Sequence, residues 1–65
     1  MTPRRAPTLA QLCHERDGLI DLWMRRTADV EERNQMGRYL ATGKGAEFIP
    51  TNIRILQEAI QEALA

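Results

Sequence analysis

The sequence has a single cysteine and no group of residues with the spacing of metal ligands. Cys13 is the only cysteine among 65 residues, so no disulfide can form within the chain. A domain this short buries only about 60% of the surface that its unfolded chain exposes. Disulfides, metals or self-association usually supply the missing stability. Since the sequence offers neither a disulfide nor a metal site, we expect self-association, most simply a homodimer, or a larger protein partner.

The chain also lacks an excess of either charge and a long apolar run. Nine basic residues balance nine acidic ones, whereas nucleic-acid-binding domains usually carry a basic excess or a basic face. No stretch approaches the 18 or so apolar residues of a membrane span. Residues 1–10 hold no apolar segment of the secretory type. These features predict a cytoplasmic protein without a membrane partner.

What the sequence does contain is helical periodicity. Apolar residues recur at spacings of three, four and seven, which is typical of amphipathic helices. The pattern predicts an all-α fold, either a helical hairpin or a three-helix domain that oligomerisation completes. A flexible arm over residues 1–7 precedes one domain, residues 8–65. Its helices are predicted at about 9–26, 28–42 and 51–64.

Three local signals mark the ends of these helices. Thr8 and Gln11 have the spacing of a capping box, which predicts the start of the first helix. Gly43 is suited to the left-handed conformation that ends a helix. After Pro50, Thr51 or Asn52 is expected to cap the last helix. The apolar Phe48 and Ile49, in the preceding connection, are expected to fold onto the core.

The polar segment from Arg25 to Gln35 has two interpretations. In the first, the helix ends near Arg26, and a second helix begins at Thr27 or Asp29 with acidic residues at its N-terminus, where the helix dipole favours them. In the second, one helix continues to Thr42 and ion pairs of (i, i+4) spacing support it. We favour the break because the continuous helix is much longer than the average one. Gly18 is a second place where a kink, a break or a close helix contact is expected.

No arrangement of residues indicates catalysis. Cys13 and His14 are adjacent, so on a helix they point about 100° apart and cannot form a nucleophile–base pair. The segment Gly43-Lys44-Gly45 lacks the strand and the spacing of a phosphate-binding loop. We therefore expect no enzyme activity, no catalytic residue, no metal site and no cofactor. Cys13 is expected in the core and His14 on the surface.

The first helix carries more apolar surface than one helix needs to bury, and this excess points to a partner. Trp23 and Met24 are residue types that recur at protein interfaces, and Leu22 extends the apolar surface sideways. The candidate interface residues are Leu19, Ile20, Leu22, Trp23, Met24, Ile53, Leu56 and Ile60.

These observations favour a small non-enzymatic protein–protein interaction module, such as an adaptor, co-chaperone or regulator, that acts through helix packing. The alternative is a dimeric nucleic-acid-binding regulator with an arginine-rich face. Its candidate phosphate contacts are Arg4, Arg5, Arg25, Arg26 and Arg33.

Overall fold

The computed structural model describes residues 6–65 and is helical, as the periodicity predicts. Helix α1 spans Leu9–Arg26, α2 spans Val30–Thr42 and α3 spans Thr51–Leu64, with one turn of 3-10 helix at Ala46–Phe48 before α3. The described residues contain no strand. Residues 1–5 of the predicted arm lie outside the described residues.

The start of α1 and the break after it follow from side chains that satisfy free backbone groups. The capping box is formed: the Gln11 N–H donates to Thr8 Oγ1 at 3.2 Å, and the Thr8 N–H donates to Gln11 Oε1 at 2.8 Å. After Arg26 the backbone becomes extended at Thr27. The Asp29 carboxylate then accepts the N–H groups of Glu31 and Glu32. Because Asp29 is this cap, α2 starts at Val30, two residues later than predicted, and the continuous helix does not form.

The connection between α2 and α3 agrees with the sequence in part. Gly43 has a φ of 75°, the left-handed conformation expected of it. The predicted side-chain cap on α3 holds only in part: Pro50 occupies the cap position and has no side-chain cap bond, while Asn52 Oδ1 accepts the N–H of Ile53 at 2.9 Å in the first turn. Phe48 was also placed wrongly, since it is 60% exposed while Ile49 is 5% exposed. Successive residues of this turn point in different directions, so only Ile49 reaches the core.

Two helices and the connection build the centre of the core. Met36 and Tyr39 of α2 pack with Ile49 and Ile53, and Met36 and Ile53 are the most completely buried large side chains. Half-buried residues pack around this cluster, namely Leu19, Ile20, Trp23, Met24, Leu40 and Ala46. The C-terminal half of α1 therefore lies beside the start of α3, so these two helices run antiparallel.

A polar contact lies within the α1–α3 packing. Gln57 is 5% exposed, and its Oε1 accepts a hydrogen bond from Arg16 Nη1 at 2.9 Å. Arg16 also donates to the Asp17 carboxylate from Nε and Nη2. This explains how an arginine can interrupt the apolar stripe of α1. The contact separates the central cluster from Leu12 and Ile60, which are buried nearer the other end of the hairpin.

We expect the break before α2 to depend on the Asp29 carboxylate. Asp29→Ala leaves the N–H groups of Glu31 and Glu32 without their acceptor and should lower the free energy of unfolding by about 1 kcal/mol. Urea denaturation followed by circular dichroism measures the loss. Asp29→Asn is the matched control and should retain most of the stability. Equal stability of the alanine variant and the wild type would contradict this account.

The Arg16–Gln57 contact should show strong coupling in a double-mutant cycle. Arg16→Met leaves the buried Gln57 amide without its donor and should cost about 1–2 kcal/mol. The further change Gln57→Leu removes the orphaned group, so the double variant should regain stability to near the wild-type value. Denaturation of all four proteins gives the coupling energy, and additive losses would mean that the contact contributes nothing.

Tyr39 should make stability dependent on alkaline pH. Its pKa is raised above the ordinary 10.0, first by burial and then by the negative charge of Glu58, with Arg54 acting in the opposite direction. The neutral phenol is thus favoured in the folded protein. This contribution is complete below about pH 10 and is lost as the pH rises through the folded-state pKa. The melting temperature should therefore fall less above pH 10 for Tyr39→Phe than for wild type. Equal falls in the two proteins would refute this role of Tyr39.

Candidate functional site: the open face of the helical layer

Helices α1 and α3 form a layer, and α2 covers one of its two faces. On α1, the flank that faces α2 carries Met24, whose sulfur accepts a hydrogen bond from Arg33 Nε of α2 at 3.4 Å. On α3, the corresponding flank carries Gln57, Glu58 and Gln61, which line a groove together with Tyr39 of α2. The opposite face of the layer is left without a covering helix in the part of the chain that the structure describes.

The α1 part of this second face is centred on Leu22. It lies two positions before Met24, which places it about 200° around the helix and therefore away from α2. Its side chain is 45% exposed. Leu19, one turn earlier, is half-buried, with one side against the core and the other towards solvent. This flank therefore presents two leucines on successive turns.

The α3 part of the face consists of small and aliphatic residues. Leu56 lies two positions from Glu58, and Ala59 and Ala63 each lie two positions from Gln61, so all three are on the flank away from α2. Leu56 and Ala59 are half-buried and Ala63 is exposed. We call the whole surface the open face; it consists of Leu19, Leu22, Leu56, Ala59 and Ala63.

The structure divides the eight residues predicted as an interface into three sets. Leu19, Leu22 and Leu56 lie on the open face. Ile53 and Ile60 are 1% and 3% exposed, so they belong to the core of the chain rather than to its surface. The other three, Ile20, Trp23 and Met24, are half-buried and pack against the central cluster.

The residues predicted to contact phosphate do not form one basic face among those described. Arg25 Nη2 lies 3.0 Å from the Asp21 carboxylate, and Arg33 lies against Met24 on the side of α2. Arg26 is exposed at the end of α1. Arg4 and Arg5 lie outside the described residues. Acidic residues therefore stand beside or between the arginines whose positions are known.

Neither of the two adjacent residues considered for chemistry, Cys13 and His14, is fully buried. His14 is exposed and Cys13 is only half-buried, so the expectation of a core cysteine holds in part. Residues 6–65 contain no group of three or more His, Cys, Asp and Glu residues that could hold a metal ion. Among the same residues, no helix is long and apolar enough to cross a membrane.

A shallow depression adjoins the open face on α1. It is lined by His14, Glu15, Gly18 and Leu19. The helix continues through Gly18 without the break that was considered for it, and there is no close helix contact, since a Cβ added there would meet nothing within 4 Å. The backbone of α1 is therefore accessible to another molecule at Gly18.

Sequence reasoning identified Leu56 of α3 but missed Ala59 and Ala63, gave Glu15 no role, and considered Arg26 only as a phosphate contact. The signal was present in part, because Glu15, Leu19, Leu22 and Arg26 follow spacings of four, three and four. Choosing this flank needed the position of α2, which periodicity does not give. Comparison of the chain with protein-family models, curated protein sequences and solved structures finds no significant match.

Proposed function

We propose that this protein is a protein–protein interaction module that binds a helix of another polypeptide chain on its open face. The observation that carries the proposal is the one-sided position of α2, which leaves Leu19, Leu22 and Leu56 without a covering layer. Helical layers are stable when both apolar faces are buried. A helix laid on the open face would complete the arrangement that α2 makes on the other side.

The chemistry of the surface defines the kind of partner. Leu22 and Leu19 are one turn apart on α1, while Ala59 and Ala63 of α3 leave room for larger side chains beyond the Arg16–Gln57 contact, towards the start of α1. An amphipathic helix with apolar residues at (i, i+3, i+4, i+7) spacing fits such a surface. The margins are charged, with Glu15 and Arg26 exposed at opposite ends of the leucine pair. The partner helix should therefore carry a cation near Glu15 and an anion near Arg26.

The alternative function, a nucleic-acid-binding regulator, draws less support from the surface. Phosphate binding requires cations free of competing carboxylates, and Arg25 is already paired with Asp21. Of the candidate phosphate contacts that the structure describes, Arg26 alone adjoins the open face, whose five members are uncharged. The two functions nevertheless predict different cross-linked products, so one experiment can decide between them.

We expect a photoreactive phenylalanine analogue at position 22 to capture a polypeptide. The full chain with this substitution is irradiated in the organism that encodes it, and adducts are identified by mass spectrometry. The expected product is a covalent adduct with a defined helix of a protein, whether a different protein or a second copy of this one. Capture of RNA or DNA would favour the alternative function instead.

Phe48 supplies the matched control for this experiment. It is 60% exposed and lines a groove with Gln35 and Arg38 of α2, on the side of the layer that α2 covers. The same analogue at position 48 should give no specific adduct. Equal adducts from both positions, or none from position 22, would overturn the proposed function.

A further inference from the structure

The exposed residues of α1 on the open face form a pattern that is complementary to itself. Glu15, Leu19, Leu22 and Arg26 lie at spacings of four, three and four, so they form one stripe along α1. We call these four residues the α1 stripe. The charges at its two ends are opposite, and a leucine pair lies between them.

An antiparallel copy of α1 brings this stripe into register with itself. A twofold axis between Leu19 and Leu22 places each of these leucines opposite the other leucine of the second copy. The same axis places Glu15 opposite Arg26 of the second copy, and the reverse pair forms at the other end. One rotation thus produces two leucine contacts and two ion pairs, as an isologous interface requires.

The charges at the ends of the stripe are available for this pairing. Within residues 6–65, the ion pairs join Arg16 to Asp17, Arg25 to Asp21 and Arg38 to Glu31. Glu15 and Arg26 take part in none of these pairs, and both are exposed. The two charges that remain unpaired on the open side of α1 are therefore those that a second copy would match.

The shape of α1 at this place also suits a second helix. Knobs-into-holes packing places one side chain among residues i, i+3, i+4 and i+7 of the facing helix. Glu15, Gly18, Leu19 and Leu22 have these spacings, and the first three line the depression beside the open face. Gly18 has no Cβ, and no residue beyond its own stretch of helix lies within 4 Å of the place that a Cβ would take. A leucine from an antiparallel helix can approach the backbone closely there.

From this self-complementarity we infer that the partner on the open face is a second copy of this chain, bound through antiparallel α1 stripes. The inference rests on the proposed function and names the occupant of the same surface. The stripe spans 12 residues, and its first and last residues are about 17 Å apart along the helix axis. The contact is therefore at the small end of specific interfaces, which bury about 800 Å² per partner. The expected dimer is weak, with a Kd on the order of micromolar or higher.

Charge reversal tests the register of the stripe. Sedimentation velocity and light scattering over about 1 μM to 1 mM should show the wild-type mass rising from that of the 7.4 kDa chain towards twice that value. Glu15→Arg places like charges at both ends of the seam and should raise the Kd by about tenfold, as should Arg26→Glu. The variant with both reversals restores opposite charges and should return to within about threefold of wild type.

An apolar pair of variants tests the leucine contact. Leu22→Asp should keep the protein monomeric throughout the concentration range, while Ile55→Asp, which changes an equally aliphatic residue away from the seam, should leave dimerisation unchanged. Circular dichroism checks that each variant retains its helices. If a variant does not fold, Leu22→Gln and Ile55→Gln replace the pair.

The possible outcomes separate this inference from the proposed function. A wild type that stays monomeric at 1 mM overturns the inference that the partner is a second copy of this chain. Adducts between position 22 and a different protein would then leave the proposed function intact. If the wild type dimerises but the double variant does not regain its affinity, the antiparallel register is overturned. If each single reversal weakens the dimer and the double reversal restores it, the register is supported.

Discussion

The packing of α1 against α3 is the contact on which the rest of the structure depends. The two helices run antiparallel and join Ile53 and Ile60 to the apolar side of α1. Two helices alone form a layer with two open faces, and residues 6–65 supply one further α-helix, α2. Helix α2 brings Met36 and Tyr39 to one face and encloses the central cluster there. This one-sided position of α2 leaves the other face open among the described residues.

The ends of the helices could be predicted because they depend on local chemistry. Thr8 with Gln11, Asp29 with its following acidic residues, and Gly43 each satisfy or redirect backbone groups within a few residues of themselves, so the sequence contains the whole interaction. The fate of individual apolar residues could not be predicted in the same way. Phe48 and Ile49 are neighbours with similar hydrophobicity, yet only Ile49 reaches the core. Which of them is buried depends on where the 3-10 turn places the chain over α3, and that is a tertiary property.

The same distinction explains the candidate interface. Periodicity identified Ile53, Ile60 and Leu22 as members of apolar helix surfaces, but it could not say which surface meets another helix of the same chain. Ile53 and Ile60 are used within the chain, and Leu22 is not. The difference arises because α2 lies beside Met24, and no property of residues 19–24 alone fixes that side. Arg16 shows the converse case: it appears misplaced on an apolar stripe until Gln57, 41 positions later, supplies its acceptor.

The Arg16–Gln57 contact helps to select one alignment of α1 against α3. Apolar side chains on two antiparallel helices can slide by one turn with little change in buried area, because leucine and isoleucine contacts are not directional. A buried amide cannot slide in this way, since it would lose the donor at 2.9 Å and remain desolvated. The contact therefore favours one register of α1 against α3. That register also fixes where Leu56 and Ala59 of α3 lie along α1, close to the level of Arg16 and towards the start of the helix, so a polar pair inside the layer determines the composition of the apolar surface outside it.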